Sequence, residues 1–158
     1  MHFDASGIIY AWDEYPIKNF PKFWEWIETG VRDGTFRILQ DAHDEVSHKY
    51  PECAAWLKKR RILRVPLTDK ILTEAERTKT LLGIEEEAYG SGVDEIDLLV
   101  IAAAKIESET VLTQEARQTN LPREKKNYKI PAVCNMEDVG VIYHNVREWI
   151  INSGKVFG

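Results

Sequence analysis

Four carboxylates stand where a short apolar run meets a turn or a helix. Asp4 ends the opening run in Phe3-Asp4-Ala5-Ser6, and Glu45 lies in Asp41-Ala42-His43-Asp44-Glu45-Val46. Asp97 opens the apolar stretch Leu98 to Ala104, and Glu115 closes Val111-Leu112-Thr113-Gln114-Glu115. Such positions are where an α/β sheet gathers ligands, and carboxylate oxygens are the donors that hard cations such as Mg²⁺ or Mn²⁺ prefer. The chemistry this suggests is phosphodiester hydrolysis, which needs an activated water and negative charge offset at the phosphate. Ser6 and Thr113, beside two of the acids, can hold a carboxylate, a metal-bound water or a phosphate. Turn and strand-end capping is the competing use of both hydroxyls. Asp4 and Asp97 equally suit helix N-caps. Asp94 is an alternative to Asp97, and Asp41 and Asp44 are alternatives to Glu45.

Other chemistries find less support. His43 and His48 are five residues apart, off the i, i+4 spacing of a helical zinc pair. Cys53 and Cys134 lack metal-ligand spacing and read as free thiols of a reducing compartment. The chain carries no Gly-x-Gly-x-x-Gly loop and no Walker-type Gly-Lys-Ser/Thr. A phosphatase of the haloacid dehalogenase type would want a second Asp two residues after Asp4, where Ser6 stands.

The 158 residues suit a single domain, residues 1–158, and 44% hydrophobic with 30% charged residues is the composition of a globular protein. No apolar run approaches the roughly 20 residues of a membrane helix, and the N-terminus has no signal-like core. A cytoplasmic protein without membrane contact is expected. A net charge of −5 argues against a general nucleic-acid coat protein. The average conceals two basic blocks, Lys58 to Arg64 and Arg123 to Lys129, with acidic residues from Glu85 to Asp97 between them. Acids at a metal site with bases elsewhere for phosphates would give this pattern, and so would solvated helix faces. Of the two blocks, Arg123, Lys125 and Lys126 are the candidate nucleic-acid contacts, because they follow Glu115 closely.

The elements that must position these residues are legible in outline. His2 to Asp4 reads as a first strand, and a helix through Ile8 and Trp12 follows until Pro16. Pro21 suits a helix start, and Phe20, Phe23, Trp24, Ile27 and Val31 share one buried face. Trp26 falls off that stripe and either covers a second surface or meets a partner. Phe36 to Leu39 is the second strand, and a helix from Asp41 to Lys49 carries Glu45. Pro51 begins another helix, Val65-Pro66-Leu67 is a connector, and Thr68 or Asp69 caps a helix whose Ile71, Leu72, Ala75, Thr78 and Leu82 share a face. Gly90-Ser91-Gly92 is a break. The helix beginning near Asp97 is apolar all round and belongs deep in the core. Thr110 to Thr113 is a strand, Gln114 to Lys129 a loop, Ile130 to Cys134 a short helix or turn, Gly140 to Tyr143 the last strand, and Val146 to Ile151 a closing helix. Strands separated by helices imply an α/β fold with a central, mainly parallel sheet flanked by helices.

The ordered set resembles the PIN domain, the ribonuclease fold of VapC-type toxins. Asp4-Ala5-Ser6 is similar to that family's strand-ending Asp-x-Ser/Thr, and Glu45-Val46 to its acid on the helix after the second strand. Asp97 to Ala104 is similar to its Asp-x-x-Ile-Ala-x-Ala helix start, and Val111 to Glu115 to its strand ending in Thr-x-Asp. The resemblance is closest to a PIN-like subgroup catalogued as a domain of unknown function and associated with toxin–antitoxin operons. It rests there on Phe20-Pro21-Lys22-Phe23-Trp24-Glu25-Trp26 and Lys129-Ile130-Pro131-Ala132-Val133-Cys134. One departure is Glu115, where most PIN domains carry Asp; its longer arm would reach a metal directly or through water.

The resemblance implies a PIN-like three-layer fold and a Mg²⁺- or Mn²⁺-dependent endoribonuclease. Asp4, Glu45, Asp97 and Glu115 would be its catalytic and metal-binding acids, with Ser6 and Thr113 in support. It also implies an RNA substrate, a protein antitoxin as partner and self-association as a homodimer, for which Trp12, Tyr15 and Trp26 are the aromatic residues to test. Two other readings keep the same residues: a nuclease of RNA processing or of DNA outside any toxin pair, and a PIN-like binding module that does not cut.

Overall fold

The computed structural model describes residues 1–158, and it builds one sheet from five short strands. These are β1 (His2–Phe3), β2 (Arg37–Leu39), β3 (Leu63–Val65), β4 (Val111–Leu112) and β5 (Tyr143–His144). Their order is β3-β2-β1-β4-β5, and every pairing is parallel. Parallel neighbours need long crossovers, which the helices supply. The helices are α1 (Ala5–Glu14), α2 (Pro21–Arg32), α3 (Gln40–Lys49), α4 (Pro51–Lys59), α5 (Asp69–Leu81), α6 (Glu95–Ile106), α7 (Ile130–Cys134) and α8 (Val146–Ser153).

Successive strand side chains point to opposite faces, yet His2 and Phe3, like Ile38 and Leu39, are all fully buried. Both faces of the sheet are therefore covered, as a parallel sheet requires. The result is a three-layer α/β architecture consistent with a PIN-like fold. A single cluster of 40 buried apolar residues forms the core. The seven residues from Leu98 to Ala104 of α6 are all buried, so this helix has no solvent face along that stretch. No helix is long and apolar enough to cross a membrane.

The strand order places the site. The chain runs outward from β1 through β2 to β3, then returns to lay β4 against the other side of β1. The crevice at such a reversal, beyond the C-terminal ends of the strands, is where open α/β sheets bind ligands. Asp4 directly follows β1 and Thr113 directly follows β4, so both stand at that crevice. A Cβ at Gly7 would lie 2.6 Å from the Leu112 carbonyl oxygen, so only glycine lets the first turn of α1 close onto the end of β4.

Several boundaries differ from the sequence reading. Val65 belongs to β3 rather than to a connector: its side chain is buried while Leu63 is 48% exposed, as suits a short edge strand. Leu72 is exposed and leaves the buried face of α5 to Ile71, Ala75 and Thr78. The last strand is Tyr143–His144, because the chain at Val141 bonds instead to the carbonyl of Cys134. Trp12, Tyr15 and Trp26 are partly buried and pack against the core. Trp12 meets Trp24 at 5.4 Å, Tyr15 meets Phe23 at 5.1 Å, and Trp26 covers a second surface against Trp149 at 4.6 Å. Cys53 and Cys134 are buried free thiols, and burial pushes each up to about 12.

Candidate metal and active site

Asp4, Glu45, Asp97 and Glu115 all line one cavity of about 540 Å³. They come from four separate segments: the end of β1, the body of α3, the first turn of α6 and the loop after β4. Seven carboxylates line this cavity against a single base, Lys49.

Asp4 is 3% exposed and occupies the N-cap position of α1, yet its side chain makes no capping bond. It turns instead to two hydroxyls. Ser6 Oγ donates to Asp4 Oδ2, and Thr113 Oγ1 donates to the same oxygen at 3.0 Å. The hydroxyls are themselves fixed, because Ser6 Oγ accepts from the Gln114 amide at 2.9 Å and Thr113 Oγ1 from the Glu115 amide at 3.2 Å. Sequence alone left both hydroxyls between capping and a role in the site; here they orient the buried acid.

At α6 the N-cap is Asp94, and Asp97 is the third residue of the helix. Asp94 Oδ1 accepts from the Asp97 amide at 3.0 Å, while Asp97 Oδ2 accepts from the Asp94 amide at 2.9 Å, a reciprocal capping box. The helix thus starts two residues earlier than its apolar run suggested. Glu45 Oε1 pairs with Lys49 one turn on. Glu115 Oε2 accepts from the Ile130 amide at 2.8 Å, which ties the loop after β4 to the start of α7.

Each of the four acids therefore has one oxygen bound to the protein and one without a protein donor. Burial pushes the Asp4 carboxyl up to about 6, with the charges of Glu115 and Glu45 adding and the two hydroxyls opposing. Burial also raises Asp97, and Asp4 is the largest of the neighbouring charges that raise it further. Desolvated carboxylates that repel each other hold protons more tightly than free aspartates. A divalent cation would relieve that repulsion, and oxygen donors are what Mg²⁺ or Mn²⁺ takes. The donor set fits such an ion. No group of three acid, His or Cys side chains is gathered tightly enough to enclose one; Glu45 is bonded to Lys49 and Glu115 to the Ile130 amide.

A family model described as Domain of unknown function (DUF4411) matches residues 1–156. The chain belongs to the DUF4411 family. No curated protein matches it.

Not every DUF4411 residue singled out from sequence reaches the cavity. Arg123, Lys125 and Lys126 do not line it. Lys126 pairs with Glu124 at 2.9 Å, and Lys125 lines a separate cavity. Their segment still reaches the acid cavity's rim through backbone. A Cβ at Gly92, which lines the acid cavity, would sit 2.2 Å from the Tyr128 carbonyl oxygen. The Lys58 to Arg64 block is a solvated surface: Arg60 lies over the Trp56 ring at 3.9 Å and pairs with Glu28.

Other cavity residues escaped the sequence reading. Ile9, Tyr10 and Asp13 line the cavity together with the expected Ser6, and their i, i+3, i+4, i+7 spacing on α1 is a legible second face. Lys49 was visible as the i+4 partner of Glu45. Tyr50 donates from its hydroxyl to Asp13 Oδ2 at 2.7 Å and closes that wall.

Proposed function

We propose that this DUF4411 chain is a PIN-like, Mg²⁺- or Mn²⁺-dependent endoribonuclease acting as the toxin of a toxin–antitoxin pair. The observation that carries the nuclease reading is the convergence of Asp4, Glu45, Asp97 and Glu115 on one cavity, each with an oxygen left unbonded by the protein. The ordered PIN-like motifs support the fold relationship. The toxin role is supported by resemblance at Phe20 to Trp26 and Lys129 to Cys134.

Asp4 and Asp97 would hold the cation, with Glu45 and Glu115 completing the negative charge directly or through water. A bound divalent ion supplies a Lewis acid for the phosphate and lowers the pKa of its water. The chain's own work is orientation and proton handling. Ser6 and Thr113 fix Asp4 Oδ2, so its other oxygen keeps one direction. Glu45 or Glu115, through its unbonded oxygen, would accept the proton of the attacking water. Lys49 offsets the field of the acids, which would otherwise repel a phosphodiester.

The test is hydrolysis of single-stranded RNA by the purified protein with Mg²⁺, with Mn²⁺ and with EDTA, and of single-stranded DNA in parallel. RNA cleavage that requires the metal is the expected result. Cleavage of DNA alone would move the protein to the DNA-directed alternative. Failure on both substrates with either metal would leave a binding module and overturn the proposal. The toxin role is tested separately, by whether expression arrests growth and co-expression of the neighbouring gene restores it.

A further inference from the structure

Beyond Glu115 the chain builds a second cavity, of about 590 Å³, that the four-acid site does not use. The two are joined. Gln114 and Glu115 line both the acid cavity and a smaller neighbour, and Arg117 and Tyr143 line both that neighbour and the second cavity.

The second cavity carries flat surfaces in fixed positions. Tyr128 is half-buried, and its backbone is held on several sides. Its carbonyl accepts from the Val93 amide at 2.8 Å, and its amide donates to the Lys125 carbonyl at 2.9 Å. On either side of it, Gln118 donates to the Asn127 carbonyl at 3.0 Å and accepts from the Lys129 amide at 2.9 Å. Also lining the cavity, the Arg117 guanidinium lies 5.2 Å from the Tyr143 ring centroid, donates to the Tyr143 hydroxyl at 3.1 Å and pairs with Glu148 at 2.7 Å. The guanidinium is thereby held over the ring.

The charges lining the cavity are mixed. Arg117 and Lys125 suit a phosphate, whereas Glu137 and Asp138 accept hydrogen bonds. A bare phosphate or an acidic peptide gains nothing from those two acids. A nucleotide whose base carries an amino group uses all three features: phosphate on the bases, ring on the aromatic and guanidinium faces, amino group on the acids.

We infer that this cavity is a subsite for one nucleotide of single-stranded RNA flanking the scissile phosphate, with amino-bearing bases such as cytosine and adenine preferred over uracil, which has no amino group. The inference rests on the nuclease reading for its substrate but not for its binding test. The Asp4→Asn protein is titrated calorimetrically with CMP, AMP and UMP, and by fluorescence anisotropy with short single-stranded oligonucleotides of C, A and U. CMP or AMP should bind more tightly than UMP. Tyr128→Leu, which keeps apolar bulk but removes the stacking face, should weaken binding by about tenfold. Lys125→Ala, a change at an exposed position, should weaken oligonucleotide binding and lower its salt dependence. Mononucleotide and oligonucleotide binding unaltered in both variants would overturn the subsite, even with RNA cleavage intact. Base-selective nucleotide binding that Tyr128→Leu abolishes, in a protein that cleaves nothing, would keep the subsite and discard the hydrolytic reading.

Discussion

Thr113 Oγ1 donates a 3.0 Å hydrogen bond to Asp4 Oδ2 although 109 residues separate the two. The bond joins the ends of two adjacent parallel strands, β1 and β4, at the reversal of strand order. It makes the orientation of the most buried acid a product of sheet pairing rather than of local sequence.

Asp4→Asn and Asp97→Asn should each abolish metal-dependent RNA cleavage and leave a folded protein. Both changes keep shape and remove anionic charge, and a lost ligand at a metal centre removes the ion's contribution to the transition state. Gel assays of cleavage with circular dichroism as a folding control decide this. Undiminished cleavage by the Asp4→Asn protein would end the assignment of Asp4 as a ligand.

Metal-free stability should fall as pH rises. The folded state holds Asp4 at about 6, above the ordinary aspartate value of about 3.9, so folding takes up a proton between those values. Stability from this group is complete below about pH 4 and is lost as pH rises through 6, about 3 kcal/mol in all for a two-unit shift. Asp97, raised in the same direction, extends the loss upward. Urea unfolding in EDTA from pH 4.5 to 8 should show the decline. Asp97→Asn should flatten it, and Mg²⁺ or Mn²⁺ should reverse it at pH 8. A flat profile would mean that the acids are better solvated than their burial implies.

Lys49→Gln should tighten Mn²⁺ binding, because it frees Glu45 and removes the one cation that lines the cavity. The pair is partly exposed, with side chains 56% and 23% accessible, so the gain should be roughly threefold to tenfold rather than larger. RNA binding should weaken in the same variant. Calorimetric titration with Mn²⁺ checks the first effect, and looser Mn²⁺ binding would make Lys49 a support of the site rather than a competitor.

Gly7→Ala should destabilise the protein by about 1–3 kcal/mol, the usual cost of forcing atoms into a packed contact. Its new methyl would meet the Leu112 carbonyl oxygen and carbon as well as Leu112 Cγ, so moving the side chain alone cannot relieve the backbone clash. Metal-dependent activity should drop further than stability does, because the same contact brings Asp4 to Thr113. A wild-type urea midpoint would show that α1 can shift without cost.

What the sequence made legible follows from how local each signal is. Asp4, Asp97 and Glu115 directly flank or closely follow short continuous apolar runs, which local composition marks well. Edge strand β3 escaped because only Val65 of its three residues is buried, which leaves no apolar pattern, and Pro66 follows at once. The cavity face of α1 was present as Ser6, Ile9, Tyr10 and Asp13 but was masked by the stronger apolar stripe through Ile8 and Ala11. The segment from Gln114 to Lys129 has no periodicity. Its geometry depends on long-range bonds such as Glu115 with Ile130 and Gln118 with Lys129, and no local pattern encodes those.

The bond from the Val93 amide to the Tyr128 carbonyl has a thermodynamic corollary. Val93 immediately precedes the Asp94–Asp97 capping box, so the backbone that carries Tyr128 and the helix start that carries Asp97 share a mechanical joint. Gly92, whose missing side chain lets the two strands of chain touch, keeps that joint short. Occupancy on the Tyr128 side and occupancy at Asp97 then bias the same few backbone atoms. Any cooperativity between them must run equally in both directions: whatever factor a nucleotide applies to cation affinity, the cation returns to the nucleotide.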